Sequence, residues 1–225
     1  MRQPFRDYWV RSMSEDQIAD VADEWHNLAL DTLGYEYFNI VEFIKKVLQK
    51  QLRRRDPLEI KFLPSDDPGP PARVSFKPLV LWVRVDIWAA ARERDDPVAR
   101  YILAHECGHV VLHDHDAKGF SDDPDQRIPE NAQMRSAEWQ ADTFADHLLM
   151  PTSIVERCRN DEAVTRRCGV ELARAGGRRR AVRTFWQRHG SSYLDRCDRC
   201  LGYNTLRIGP RVRCETCDQL VGATL

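Results

Sequence analysis

The residues best suited to chemistry are His105-Glu106-Cys107-Gly108-His109. In a helix, residues four apart lie on one face one turn apart, so both imidazoles can reach a single metal ion. The glutamate between them projects beside that ion, where it can take a proton from a water the metal activates. The flanks are apolar, Tyr101-Ile-Leu-Ala104 before and Val110-Val-Leu112 after. A solvated face is therefore a poor account of three polar side chains, and a glutamate in such a helix should be buried only if paired or working. Core histidines without a metal are the competing and weaker reading.

Catalytic zinc takes three protein ligands and keeps a position open for water, so a third ligand must come from elsewhere. Glu138 lies 29 residues beyond His109 on the next expected helix, with Asp142 one turn later. That pair can supply a ligand and a second carboxylate on one face, Asp142 accepting a hydrogen bond from a ligand histidine. It fits two ordinary acids on an exposed helix equally well, and spacing alone does not choose. His113 continues the series of His105 and His109, but a fourth ligand would close the water site, so a supporting or helix-end role is expected. His115 and His147 are weaker candidates for an oxyanion partner. Cys107 points away from His105 across the helix and reads as a core thiol.

A second constellation lies near the C-terminus. Cys197-x-x-Cys200, then thirteen residues, then Cys214-x-x-Cys217 is the pattern of a zinc ribbon. Thr205 to Ile208 and Arg211 to Arg213 read as two strands joined at Gly209-Pro210. Four thiolates make a closed, structural site, and so short a module needs its metal to fold. Two matched pairs argue against a redox dithiol. Two zinc ions per chain, one catalytic and one structural, are expected. Cys158 and Cys168 read as ordinary thiols.

These residues need elements to hold them. Ser14-Glu-Asp-Gln17 is a capping box, followed by Ile18, Val21, Ala22, Trp25 and Leu28 at helical spacing. A second helix is expected from near Asn39 to Arg55, and a strand from Leu58 to Leu63. Pro64 to Pro71 reads as a loop, with strands over Arg73–Phe76 and Leu79–Val85. Leu79–Val85 is the expected edge strand along which an extended peptide would lie. Asp95-Asp96-Pro97 opens the helix that carries Tyr101 to His113. A polar loop follows from Asp114 to Arg135, then a helix from Ser136 to Met150 and further helical sequence to about His189. The fold class expected is α+β: a domain of helices and a few strands over residues 1–155, an arginine-rich helical segment over 156–192 and a zinc ribbon over 193–225.

Totals exclude several classes. At 225 residues, 42% hydrophobic and 31% charged, the chain reads as an ordinary globular protein. Its longest apolar runs are far too short to cross a bilayer and its N-terminus has no apolar leader, so a cytoplasmic location and no membrane partner are expected. The seven cysteines are then ligands or free thiols. A net charge of −1 conceals an asymmetry: from Arg157 to Arg213 fifteen arginines face five acids, a local charge of +10. Such a block can contact single-stranded DNA, with Arg178, Arg179 and Arg180 as candidates, or be a solvated face.

Residues 99–113, ARYILAHECGHVVLH, and 137–151, AEWQADTFADHLLMP, together resemble the ImmA/IrrE family of metallopeptidases. The second block is the more specific, because general zincins have no counterpart of it. The resemblance, covering about residues 14–151, implies that the 1–155 domain is a zincin-like metallopeptidase of gluzincin-like fold with a small twisted sheet, Glu138 as third zinc ligand and Glu106 as general base. It also implies cleavage of a helix-turn-helix repressor encoded alongside, relieving repression in a stress, mobile-element or antiviral defence operon. Cys107 stands where the family commonly has an aliphatic residue, and the C-terminal sensor domain of some relatives is replaced by the arginine-rich segment and the cysteine module. A rival from another class is a catalytically idle DNA-binding regulator, against which the complete His105, Glu106, His109 and Glu138 set argues.

Overall fold

The computed structural model describes residues 10–52, 57–113, 130–189, 205–208, 211–214 and 220–222. For 130–132, 185–189 and the last three segments only the backbone is described. The described chain divides into two compact units, Met1–Leu149 and Met150–Leu225.

In the first unit, Ser14 and Gln17 form the capping box that starts α1 (Glu15–Leu33). Ser14 Oγ accepts from the Gln17 N–H at 3.3 Å and Gln17 Oε1 accepts from the Ser14 N–H at 2.9 Å. Gly34, in the left-handed region at φ 82°, ends the helix. Asn39 caps α2 (Ile40–Glu42), which runs through a π-helical segment, Phe43–Leu48, into α3 (Gln49–Leu52). The π turn puts Phe43, Ile44, Val47 and Leu48 into the core together.

The sheet has three strands in the order β1 (Glu59–Leu63), β3 (Leu79–Arg84), β2 (Ala72–Phe76). β1 pairs with β3 in parallel, Ile60 opposite Leu81, and β2 pairs with it antiparallel, Val74 opposite Leu81. The expected edge strand over Leu79–Val85 is thus corrected. β3 is the middle strand, both its edges are taken, and Leu79, Val80, Leu81 and Val83 are buried on its two faces. Val85 instead opens α4 (Val85–Arg94), a helix the strand pattern concealed. β2 is the edge strand that packs against the helix bearing the HExxH residues.

That helix is α5 (Pro97–His113). Asp96 Oδ1 accepts from the Ala99 N–H at 2.9 Å and Pro97 takes the first helical position. Arg100 fixes its first turn: buried, it donates to the Phe38 carbonyl at 2.7 Å, lies 3.5 Å from Asp95 and sits over the Tyr37 ring at 4.5 Å. Most of the expected 114–135 loop lies outside the described residues, and its end, Glu130–Arg135, is a 3-10 helix. Ser136 Oγ accepts from the Trp139 N–H at 2.9 Å and caps α6 (Ala137–Leu149), which packs against α5 and α1 through Ala141, Phe144, Ala145 and Leu148. Cys107, 1% exposed on α5, is the core thiol expected.

The second unit contains α7 (Thr152–Val155), α8 (Asp161–Cys168) and α9 (Leu172–His189), with Cys158 and Cys168 buried and in no disulfide. Here the arginine triplet divides. Arg178 is only 7% exposed and donates to the Met150 carbonyl at 3.1 Å and to Thr152 Oγ1 at 2.9 Å. Arg179 donates to Asp161 and to the Arg159 carbonyl, and only Arg180 is exposed. Arg178 is therefore withdrawn as a phosphate contact, because its guanidinium is spent inside the unit. Further on, β4 (Thr205–Ile208), β5 (Arg211–Cys214) and β6 (Leu220–Gly222) form an antiparallel sheet with β5 in the middle. The expected hairpin is present in the backbone, while Cys197, Cys200 and Cys217 lie outside the described residues. No helix among the described residues is long and apolar enough to cross a membrane.

Candidate metal centre

α5 and α6 are brought close by Gly108. A methyl group there would stand 2.9 Å from the Cα and 3.0 Å from the carbonyl oxygen of Ala141, so only glycine permits this approach. The approach sets the first turn of α6 beside the middle of α5. His105 Nε2 and His109 Nε2 are 3.0 Å apart, Glu138 Oε2 is 3.3 Å from the former and Glu138 Oε1 is 3.5 Å from the latter. Among the described residues, these three side chains form a group able to hold a metal ion, one ligand atom from each lying within 4.8 Å of the others.

Their spacing suits zinc. With zinc–nitrogen bonds of about 2.0–2.1 Å in a tetrahedron, neighbouring ligand atoms lie about 3.3 Å apart. The electrostatics make the same demand. Burial works against a charge on His105, but hydrogen bonds to the carboxylates of Asp142 and Glu138 overcome it and push the ring up to about 10. Those imidazoles, His105 first, hold the Glu138 carboxyl well below its usual range. The carboxylates of Asp142 and Glu138 thus favour positive charge at the cluster.

Around these atoms stand the supports. His105 Nδ1 lies 2.9 Å from Asp142 Oδ1, and the Tyr101 hydroxyl donates to the same oxygen at 2.8 Å. Asp142 thereby takes up the second nitrogen of one ring, the arrangement that orients metal-binding histidines. Glu106 is 7% exposed, and its carboxyl is raised above the ordinary range by burial, against the pull of His109 and His105. His113 is buried behind His109, its Nδ1 3.1 Å from His109 Nδ1. Burial, then the neighbouring His109, lower it to about 4, so it stands neutral as a support. His147 is not brought to the site. Nine residues beyond Glu138 along α6, about 14 Å by helical rise, it lies 3.6 Å from Glu15 of α1. His115 is outside the described residues.

Sequence reasoning missed Gly108, Tyr101 and Gln140. Gly108 left a visible signal, since glycine inside a helix needs a packing reason. Tyr101 and Gln140 passed for ordinary core-facing residues.

A family model described as the IrrE N-terminal-like domain, Peptidase_M78, matches residues 91–175, which include α5, α6 and every residue of the cluster. No curated protein matches the chain. Among solved structures, a Mycobacterium tuberculosis transcriptional regulator is similar at 18% identity and a TM-score of 0.43, over 72% of this chain and 46% of its own. This chain thus spans less than half the length of that regulator. The HExxH helix, the glutamate-bearing helix and the matched stretch coincide, so residues 91–175 are similar to the IrrE N-terminal-like, or peptidase M78, domain.

Proposed function

We propose that this chain is a cytoplasmic zinc endopeptidase that cleaves a helix-turn-helix repressor encoded beside it and so derepresses a stress, mobile-element or defence operon. The observation that carries this reading is the convergence of His105, His109 and Glu138 at zinc-ligand spacing beside a buried glutamate. Those three residues would hold the metal. Zinc held there would supply Lewis acidity to a water and to the scissile carbonyl. Glu106 accepts the proton of the attacking water and delivers it to the leaving amine. Its burial favours this task, because a raised carboxyl pKa is nearer the operating pH. Asp142, steadied by Tyr101, orients His105. The substrate lies extended along β2, the edge strand packed against α5.

The remainder of the chain regulates. A zincin-like domain over 1–155 is followed by an arginine-rich helical segment over 156–192 and a zinc ribbon over 193–225. In the ribbon Cys197, Cys200, Cys214 and Cys217 hold a second, structural zinc. The β4–β5 hairpin between the two cysteine pairs supports that assignment. Single-stranded DNA bound by the segment, through the exposed Arg180 and Arg183, stimulates cleavage. The high local arginine content supports this, since guanidinium groups bind phosphate and stack on bases. Incubation of the purified chain with the neighbouring repressor, with and without single-stranded DNA, tests the reading. Zinc-dependent cleavage, faster with DNA, is expected. An intact repressor under every condition refutes it.

A further inference from the structure

The two ligand histidines are supported in chemically different ways. His105 turns its Nδ1 to a carboxylate, that of Asp142. His109 instead meets a chain of neutral groups. Its Nδ1 is 3.1 Å from Nδ1 of His113, and Nε2 of His113 is 3.0 Å from Oε1 of Gln140. The amide nitrogen of Gln140 donates to the carbonyls of Arg11 at 2.8 Å and Met134 at 2.6 Å.

From its far end inward, this series of hydrogen bonds has one proton arrangement. Two backbone carbonyls can only accept, so the Gln140 group facing them is the NH2, with both hydrogens in use. Gln140 Oε1 can only accept in turn, so His113 donates from Nε2. His113 is 2% exposed, and burial disfavours a charged ring. A neutral ring protonated on Nε2 carries a lone pair on Nδ1, and His109 must donate to it from its own Nδ1. A neutral His109 ring, the form that ligates a metal, is then unprotonated at Nε2. That atom faces His105 Nε2 at 3.0 Å and Glu138 Oε1 at 3.5 Å.

We infer that Gln140, acting through His113, locks His109 in the tautomer that presents the Nε2 lone pair to the metal site. Both are positioning residues. The inference rests on the zinc-site reading only in naming what that lone pair awaits; the tautomer itself follows from the hydrogen-bond chain. It also gives the segment ahead of α1 a part in the site. Val10 and Met13 donate to the Arg135 and Met134 carbonyls, so the carbonyls that end the chain belong to two strands of backbone held side by side.

A purely structural Gln140 would tie those segments together without setting a ring tautomer, and two measurements separate the roles. In the 15N-labelled full chain stripped of metal, two-bond proton–nitrogen correlations of the rings should show His109 protonated on Nδ1, with a pyridine-like Nε2. Protonation of His109 on Nε2 overturns the inference without reference to any metal. Zinc affinity, read by competition with a chromophoric chelator, should fall about 10–100-fold in His113→Phe. It should be largely restored in His113→Gln, whose amide can accept from His109 and donate to Gln140. A His113→Phe chain that keeps the His109 tautomer and wild-type affinity overturns the inference. A wild-type chain that binds no zinc defeats the metallopeptidase reading instead, and the tautomer measurement still decides this one.

Discussion

Gly108→Ala tests how closely the site depends on the approach of two helices. The added methyl group would lie 2.9 Å, 3.0 Å and 3.3 Å from the Cα, carbonyl oxygen and Cβ of Ala141. Carbon atoms rest at about 3.5–4.0 Å, and backbone cannot turn aside as a side chain can, so α5 and α6 must part by about 0.5 Å or more. Overpacking of that kind costs about 1–3 kcal/mol, while alanine's helix propensity offsets about 1 kcal/mol. The net loss of about 0–2 kcal/mol lowers Tm by up to about 8 °C for a chain of this size. Metal binding suffers more, because a half-ångström shift exceeds the roughly 0.2 Å tolerance of a metal–ligand distance. Zinc affinity should fall at least tenfold, about 1.4 kcal/mol. Gly177, inside α9, is the control: nothing lies within 4 Å of the place a Cβ would take there, so Gly177→Ala should stabilise by about 0.8–1.0 kcal/mol and leave zinc binding alone. Thermal melts and chelator competition on both variants decide the matter. A Gly108→Ala chain that gains stability like Gly177→Ala and binds zinc as tightly as the wild type refutes the reasoning.

Glu106→Gln should retain zinc by metal analysis yet lose about 10²–10⁴-fold in repressor cleavage, as expected for a general base; Glu138→Ala should lose the active-site zinc itself. Metal analysis of the wild type should give two zinc ions per chain, one surviving mutation of His105 and the other lost on truncation before Tyr193. His26, buried and donating toward the Leu148 carbonyl at 3.0 Å, has its pKa lowered chiefly by burial, so the folded ring stays neutral where the unfolded one takes a proton. Its contribution is whole above the unfolded value of about 6.5 and is lost as pH falls through the folded value. Denaturant melts at pH 7 and pH 5 should therefore show a smaller acid loss in His26→Gln than in the wild type, and equal losses would show that His26 is charged in the fold.

What could be read from the sequence was whatever a single element decides. The spacing of His105 and His109 and the caps at Ser14, Asn39 and Asp96 are all local, and each lies where expected. The third proposed ligand was not local. Twenty-eight residues separate His109 from Glu138, and nothing in that interval says how α6 returns to α5. The approach that closes the site is between Gly108 and Ala141, two small residues whose meaning appears only when their helices face each other. The middle position of β3 does carry a local signal: Leu79 to Val83 is apolar without alternation, as a strand buried on both faces should be.

The arginine triplet shows the same limit from the other side. Successive residues on a helix point about 100° apart, so Arg178, Arg179 and Arg180 could never form one patch. One of them had to turn inward, and Arg178 does, onto the Met150 carbonyl and Thr152. A patch on α9 needs spacings of three or four, which Arg180 and Arg183 have, and both are exposed. Charge reversal at Arg180 and Arg183 should therefore weaken single-stranded DNA binding at low salt, and flatten its salt dependence by about one counterion for each phosphate no longer neutralised. Reversal at Arg178 should unfold the second unit instead, since a carboxylate there would face the Met150 carbonyl with nothing to donate. If the Arg180 and Arg183 variant binds DNA with unchanged affinity and salt slope, the arginines of this helix are a solvated face and the phosphate-binding role falls.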